Sequence, residues 1–532
     1  MAHYIEITQM DHQVPLLDQT SVNEATEYEM NEGRKMDHII EMKETNGQDP
    51  SGSQTNKSIN QIFDEKFKKL DNSSVKSTTI FKVSVKLRES NPDAYKPKLI
   101  SIGPYHRHNP DLRSIEKYKL MYLQRFLRRK EGIDVESCIR ELEELKDEAR
   151  KCYDDIEDLD SDSSTGQFLQ MLLLDGCFVV EFIRECYGEI PTEEDPIINA
   201  ACIYYQVRRD LMLLENQLPF FVLTKLHDMT KDVDETEDVD ETSFPIMVKR
   251  TFLPFLPKFT PTSFLKTECN AENIKHLLQL VHMSCYPSEM KTSIIRNSRM
   301  REVERDRAYC RKSLCWNLLP KFRSKETPID RDHHMPWHDI MPNVTELCEA
   351  GVSFTKVGTI YRHLDKDNLE DNTSLFDIKF ENGLMKIPCF EVSDDTEATL
   401  RNLIAYEQQS SHVSPKYFSD YAIFMDRLVD SERDVSLLRQ KGIIRNIIGE
   451  DKEVAMLFNK IGKGISISHD FYYKEDCKKI VQHCEKPWNR MKANLRSNYF
   501  HSPWAGVSTV AAIILLLLTA TQTVLSVLSV IK

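Results

Sequence analysis

Residues 167–187 read QFLQMLLLDGCFVVEFIRECY, and they predict a strongly apolar helix at the centre of the fold. A second apolar segment, 197–227, is predicted to be the other central core helix. Neither is typical of a membrane span, because charged side chains interrupt both. In the first segment these include Asp175, Glu181 and Arg184. The two segments are therefore expected to pack inside a globular body.

Helical patterns continue on both sides of this centre. They cover residues 114–130 and 134–153 before it, and 396–412, 416–430, 432–441 and 450–460 after it. Phe376, Ile378 and Phe380 alternate before Asn382-Gly383, a pair preferred in type I′ turns, which predicts a β-hairpin. The scarcity of glycine, 16 in 532 residues, also favours helix. The predicted fold class is therefore mainly α (α+β), a multi-helix globular body with a small β-hairpin element.

The chain is predicted to have three parts. Residues 1–78 are polar and poor in aromatic residues, which predicts a disordered N-terminal extension. Residues 79–500 form the mainly helical body, interrupted by an acidic loop at 232–243 and an irregular insertion at 286–340. Alternation over residues 80–86 predicts a short strand where the body begins.

The third part is the C-terminal tail. Residues 505–531 carry no charge, and a spanning helix needs about 20 apolar residues, so a transmembrane helix is predicted over 504–531. The N-terminus lacks a signal-peptide pattern, so the tail is expected to be both the single membrane pass and the targeting signal. Residues 478–500 contain six Lys or Arg against one acid, Glu485, which predicts a cytosolic body. Plasma membrane and endomembrane both stay open.

Charge and cysteine content argue against two classes of protein. A net charge of −14 argues against nucleic acid as a partner, because phosphate binding needs a basic face. The 13 cysteines are scattered and odd in number, which favours reduced, buried thiols over a disulfide framework.

The sequence contains no complete catalytic or metal-binding motif. The stretch 462–464, Gly-Lys-Gly, lacks the Ser or Thr of a phosphate-binding P-loop. G-x-S-x-G, H-E-x-x-H and protein-kinase motifs are absent. His334 and His338 have the spacing of one helical face, but Pro336 lies between them, so a solvated loop is expected rather than a zinc site. No catalytic residue, cofactor or metal is therefore predicted.

Eight polar residues in apolar or turn-forming surroundings are candidates for a polar core or a ligand site. They are Tyr105, His106, Asp175, Glu181, Asp210, Glu215, Asn216 and Glu407. A buried carboxylate is costly unless it is paired or hydrogen-bonded, so two interpretations follow.

In the first interpretation the candidates form a satisfied polar network. Residues 215–217 then bond backbone freed near Pro219, and Arg208 or Arg209 pairs with Glu181 or Asp210. In the second, two acids form a catalytic pair in which burial raises one pKa for general-acid work. The loop 101–106 also allows two interpretations. Either it presents its Tyr and His to a ligand, or it is a packed turn whose glycine supplies unusual dihedral angles.

Several sequence blocks occur in one order along the chain. They are AYKPKLISIGPYHR (94–107), LDGCFVVEFI (174–183), DLMLLENQLPFFVL (210–223), TELCEAGVSF (345–354), IPCFEV (387–392) and LRNLIAYEQ (400–408), followed by the apolar tail. In this order they resemble the plant protein family defined by domain of unknown function 247. The resemblance covers about residues 78–531, and it is specific because many blocks match in sequence.

The resemblance implies a plant, membrane-associated protein with no established chemistry. Some grass members of that family are associated with pollen–stigma self-incompatibility as candidate male determinants. The predicted function is a membrane-anchored, non-enzymatic interaction or recognition protein, whose partners are the membrane and an unidentified protein. The alternative is a membrane-bound enzyme that uses buried carboxylates between the core helices.

Overall fold

A computed structural model of the chain describes residues 63, 78–154, 156, 162–188, 195–231, 243–253, 273–287, 341–358, 373–467, 470–492 and 503–531. The chain divides into two units, Met1–Ser73 and Ser74–Lys532, and the elements below belong to the second. Nearly all of the predicted N-terminal extension, acidic loop and irregular insertion lies outside the described residues, as do His334 and His338.

The first half of the body is built around one long helix. Its helices are α1 Val85–Arg88, α2 Glu116–Arg128, α3 Val135–Lys151, α4 Asp162–Tyr187, α5 Ala201–Leu211, α6 Phe220–Met229, α7 Phe244–Phe252 and α8 Leu277–Ser284. Helix α4 contacts α2, α3, α6 and α7. It approaches α6 closely at Gly176, where a Cβ would lie 2.4 Å from the Leu226 side chain. Residues 167–187 therefore lie in the central core helix.

The second half combines helices with two small sheets. Its elements are α9 Val344–Glu349, β1 Ser353–Val357, β2 Lys379–Glu381, β3 Leu384–Pro388, β4 Phe390–Val392, α10 Thr396–Gln409, α11 Tyr417–Leu428, α12 Glu432–Gln440, β5 Ile444–Asn446, α13 Asp451–Ile461, α14 Lys474–Glu485 and α15 Pro503–Ile531. Helices α10, α11 and α13 pack together, and α8 joins α10 to the first half. The mainly helical fold class is confirmed.

The predicted hairpin is present. Strand β2 pairs antiparallel with β3, with Phe380 opposite Met385, around a turn in which Asn382 and Gly383 have φ angles of 52° and 80°. Both angles are positive, as a type I′ turn requires. Strand β1 adds to β3 in parallel, and β4 pairs in parallel with β5. These two parallel pairings join distant segments, which local sequence patterns do not specify.

Two predictions about local structure are wrong. The segment 197–227 is two helices, because the chain leaves helix at Met212 and re-enters it at Phe220. Pro219 precedes the new helix, and proline both lacks an N–H and disfavours helix in the residue before it. The strand predicted over 80–86 is only an isolated bridge from Ile80 to Tyr153, followed by α1. No disulfide joins the cysteines that the structure describes.

Two helices in the described part of the chain are long and apolar enough to cross a membrane. Of these, Gly166–Tyr187 is 78% buried inside the body, whereas Val507–Ser529 is 0% buried. The apolar side chains of the first helix are therefore mostly buried in the core. Those of the second are exposed.

Candidate functional site

The candidate residues gather mainly beneath a segment that we call the strap, residues 79–106. The strap has only the short helix α1 and a 3-10 turn at Pro92–Tyr95, yet much of it is buried. Buried N–H and C=O groups outside regular structure need other partners. Side chains from α2, α4, α5, α10 and the α5–α6 turn provide them.

Asp210, at the end of α5, holds the middle of the strap. Its carboxylate accepts hydrogen bonds from the N–H groups of Lys98, Leu99 and Ile100, at 3.0, 2.7 and 3.0 Å from Oδ2. Arg209 donates to Oδ1 at 2.8 Å and also to two strap carbonyls. Burial raises the pKa of Asp210, whereas the three amides and Arg209 act to lower it. All carboxylate oxygens are thus occupied by protein donors.

Two asparagines extend this pattern. Asn216, in the α5–α6 turn, accepts from the Ile102 N–H at 2.7 Å and donates to the Ile100 carbonyl at 3.1 Å. Asn402 of α10 accepts from the Leu214 N–H at 2.9 Å and donates to a strap carbonyl at 2.9 Å. A primary amide suits this role because it both donates and accepts. Asn402 therefore joins the strap, the turn and the second half of the body.

An ion pair fixes the next part of the strap. Lys119 Nζ of α2 lies 2.7 Å from Asp175 of α4, and both side chains are buried. Asp175 also accepts from the Gly103 N–H at 2.9 Å, and Lys119 donates to the Ser101 carbonyl at 2.7 Å. Burial acts to lower the pKa of Lys119, but the adjacent Asp175 raises it overall; burial raises the pKa of Asp175, against which Lys119 and the Gly103 N–H act.

Gly103 explains why the chain turns here. Its φ is 77°, and a Cβ would lie 2.7 Å from the carbonyl oxygen of Gln217. Positive φ is costly for residues other than glycine, and this contact is too close for any side chain. The glycine is thus required both by its backbone conformation and by the close approach of the α5–α6 turn.

Glu215 connects the start of the strap to its end. It accepts from the Val83 N–H at 2.6 Å, pairs with Arg88, and lies 3.2 Å from His106 Nε2. Burial acts to raise the pKa of Glu215, but these neighbours lower it overall. Tyr105 directs its hydroxyl to the backbone of Asp154, with the carbonyl oxygen at 2.7 Å. Tyr105 and His106 therefore both contact groups of the protein itself.

Glu181 lies outside this network. It accepts from Arg129 at 2.7 Å and from Arg184 at 2.8 Å. The sequence predicted that Arg208 or Arg209 would pair with Glu181 or with Asp210; Arg208 lies over the ring of Tyr204 at 5.4 Å. The predicted pairing is right for Asp210, which pairs with its neighbour in the chain. Spacing along a helix does not distinguish these outcomes.

Glu407 forms a second buried cluster, between α8, α10 and α11. It accepts from His282 Nε2 at 2.9 Å and from the N–H groups of Phe418 and Ser419 at 2.9 and 2.8 Å. Asp420, which follows Ser419 in α11, accepts a hydrogen bond from the Tyr472 N–H at 2.8 Å. Burial raises the pKa of Asp420 to about 7, and the charge of Glu407 acts in the same direction. This acid titrates near neutral pH.

Three further acids are buried although the sequence patterns did not indicate them. Asp420 is one, and its signal is its position within the apolar helix YFSDYAIFMDRL. Asp195 accepts from Tyr122 at 2.8 Å and from the Ile197 N–H at 2.8 Å. Asp434 caps α12 through Ser431, a Ser-x-x-Asp pattern that resembles a capping box. Such motifs are common, which is why they attract little notice in a sequence.

The described candidates are arranged to hold backbone rather than to line a common cleft. A surface cavity of about 730 Å³ lies elsewhere, between α12 and α13, and is lined by Glu432, Arg433, Arg439 and Asp451. Within the described ranges, no group of three or more His, Cys, Asp or Glu side chains has an arrangement that could hold a metal ion.

Comparison with known proteins gives four findings. A model of the family of domain of unknown function 247, described as a plant protein of unknown function, matches residues 80–518. The UPF0481 protein At3g47200 of Arabidopsis thaliana is 28% identical over 466 residues, covering 86% of this chain and 88% of that protein. A second Arabidopsis thaliana UPF0481 protein, At3g02645, is 24% identical over 499 residues, covering 84% and 89%. No solved structure matches significantly.

Proposed function

We propose that this chain, which belongs to the plant protein family of domain of unknown function 247, is a membrane-anchored, non-enzymatic interaction protein. The observation that carries the proposal is the exposed apolar helix α15. The body would be held at a membrane surface by this helix, with its folded surface presented to a protein partner.

Three properties of α15 support a membrane role. Its 29 residues span about 43 Å at 1.5 Å per residue, more than the hydrocarbon core of about 30 Å. Its apolar side chains between 507 and 529 are exposed, which is costly in water at roughly 25 cal/mol per Å². Thr519, Thr521 and Thr523 donate their hydroxyls to carbonyls one turn earlier, at 2.7 to 2.8 Å. Hydroxyls bonded in this way suit an environment without water.

The charge distribution beside the tail supports a cytosolic body. Lys478, Lys479, Lys486, Arg490 and Lys492 precede it among the described residues, against Glu485. Positive residues near a span favour the cytosolic side. Pollen–stigma recognition in its simplest form needs the body outside the cell, so orientation decides whether that setting suits the protein.

The buried network supports a non-enzymatic role. A general acid or base must reach a proton on a substrate, and the carboxylates of Asp175, Asp210 and Glu215 are instead occupied by protein donors. One observation favours the alternative, a membrane-bound enzyme. Asp420, with a pKa of about 7, lies beside the hydrogen-bonded Glu407 and His282. Two acids in such different environments suit general acid–base catalysis.

A topology assay on the full chain tests the main proposal. The N-terminus is tagged, and sealed microsomes are tested for protease access, glycosidase sensitivity and retention after carbonate washing. The chain has four N-x-S/T glycosylation sequences, at Asn56, Asn72, Asn343 and Asn372. We expect retained protein, a digested tag and no glycans at these four sites. Release by carbonate would refute anchoring. A protected tag with glycans would refute the cytosolic orientation.

The matched control is a variant that carries L516K/L517K in α15. Two lysines in the middle of a span oppose insertion by roughly 2.5–3.5 kcal/mol each, so this variant should be released by the carbonate wash. Its body should keep the helical circular dichroism of the wild type, because these side chains are exposed. Retention of the double variant would show that α15 is not the anchor.

A further inference from the structure

Between α14 and the tail, the chain presents an unusual exposed surface. Residues 487–492 are helical, and Trp488 and Met491 are 71% and 52% exposed. Positions three apart lie on the same helical face, so the two side chains form one apolar spot. Tryptophan has an apolar body with a polar N–H, which suits the boundary between lipid and water.

Cationic residues lie next to this spot along the chain. Lys486, Arg490 and Lys492 are exposed, and no acid lies within 486–492. An amphipathic surface with aromatic and basic residues is the pattern of segments that lie in the headgroup layer of a membrane. Basic residues next to a span are attracted by anionic lipids of the cytosolic leaflet.

Residues 487–492 contact the body, although they also lead toward the tail. Asn489 donates to the His483 carbonyl at 2.8 Å, which links the segment to the end of α14. Lys492 Nζ lies 2.8 Å from the place where a Cβ on Gly351 would stand, next to the C-terminus of α9. A surface that binds at this segment would therefore fix the orientation of the body and would not merely lengthen a tether.

Chain length keeps the segment near the membrane if the tail inserts. Only residues 493–502 separate it from α15, and eleven extended residue steps span at most about 40 Å. The tether thus gives the segment a high effective concentration at the headgroup layer, where weak contacts suffice for binding.

We infer that residues 486–492 bind the anionic phospholipid headgroups of the membrane that holds the tail. Trp488 and Met491 would enter the interface while Lys486 and Arg490 contact lipid phosphates and carboxylates. The inference rests on the proposed membrane anchoring and adds a second, lipid-selective contact. The end of α14 and the region around Gly351 would then face the membrane.

The test uses the full chain with Trp488 as its one tryptophan, made by W316F/W337F/W504F. The protein is reconstituted in phosphatidylcholine vesicles with or without phosphatidylserine, and brominated acyl chains serve as quenchers. Flotation after carbonate washing reports anchoring separately. We expect a blue shift and quenching of Trp488 with phosphatidylserine, and loss of both at high salt.

Charge reversal provides the matched comparison. In the same background, K486E/R490E should lose the quenching, whereas K441E/K463E, which changes two exposed lysines elsewhere, should keep it. If Trp488 is equally quenched in both lipids, or in neither, while the protein floats with the vesicles, the inference is overturned and anchoring stands. If the protein does not float, anchoring itself fails, and the inference fails with it.

Discussion

The substitution Asp210→Asn tests the role of the network most directly. The asparagine keeps the shape of the side chain but replaces one carboxylate oxygen with an amide that donates. The three strap N–H groups at 98–100 and Arg209 all need acceptors from this one carboxylate. An asparagine cannot supply them all, because its NH₂ group must face either the strap donors or the guanidinium.

The expected cost can be worked from these contacts. Removing one partner of a buried ion pair costs about 3–5 kcal/mol, because the remaining charge is left without compensation. Urea unfolding should therefore show a loss of about 3–5 kcal/mol. Since 1.4 kcal/mol corresponds to a factor of ten, hydrogen exchange at Lys98, Leu99 and Ile100 should accelerate by about 100-fold or more.

The control is Glu143→Gln, which removes a charge that pairs with Lys146 on an exposed face of α3. Exposed pairs contribute about 0–1 kcal/mol, so stability should change little. The reasoning would be refuted if Asp210→Asn remained within about 1 kcal/mol of the wild type. It would also be refuted if the three strap amides kept their protection in a destabilised variant.

The remaining predictions concern a turn, a titrating acid and an ion pair. Gly103→Ala should cost clearly more than Gly132→Ala in urea unfolding, because both have positive φ but only the first places a Cβ against backbone, at 2.7 Å. The pKa of Asp420 is about 7 in the folded state and 3.8 in the unfolded state. The stability that the protonated acid contributes is therefore fully present below pH 3.8 and is lost as pH rises to 7, by up to about 4 kcal/mol. Asp420→Asn, which mimics the protonated acid, should remove this dependence in unfolding measured from pH 4 to 8. Lys119→Met alone should cost about 3–5 kcal/mol, and adding Asp175→Leu should cost less than the sum of the single changes in a double-mutant cycle.

Each of these predictions can fail in a distinct way. Equal costs for the two glycine variants would mean that the turn relaxes away from the α5–α6 loop. A pH profile of Asp420→Asn parallel to the wild type would place the titration on another group. Additive costs in the double-mutant cycle would show that Lys119 and Asp175 contribute independently.

The blocks that carry the family resemblance meet in space. Gly103 and its neighbours belong to block 94–107, and they bond to Asp175 of block 174–183 and to Asp210 and Asn216 of block 210–223. Asn402 of block 400–408 completes the set. Four separated pieces of sequence are thus parts of one hydrogen-bonded arrangement. The strap is therefore as much a part of the body as the helices beneath it.

Local physics explains what could be read directly from the sequence. Helical periodicity predicted α2, α3 and the group from α10 to α13, because an amphipathic pattern already specifies which face is buried. Asn382-Gly383 predicted the hairpin, since both residues tolerate positive φ. The apolar character of α4 and of the tail was equally visible, and the charges inside α4 indicated which one would be buried.

The partners of the buried polar groups depended on the tertiary structure. A carboxylate in an apolar helix must find donors, but any nearby N–H, lysine or arginine satisfies that need, so spacing does not select one. Asp210 is satisfied by amides about 110 residues earlier, and Glu181 by Arg129 rather than by the arginines of α5. The parallel strand pairs likewise depend on contacts between distant segments, whereas Pro219 marks the start of α6 within the local sequence. The sequence by itself therefore determined the elements and the exposed tail, and packing decided which polar groups meet, because burial fixes the need for a hydrogen bond while only the fold fixes its partner.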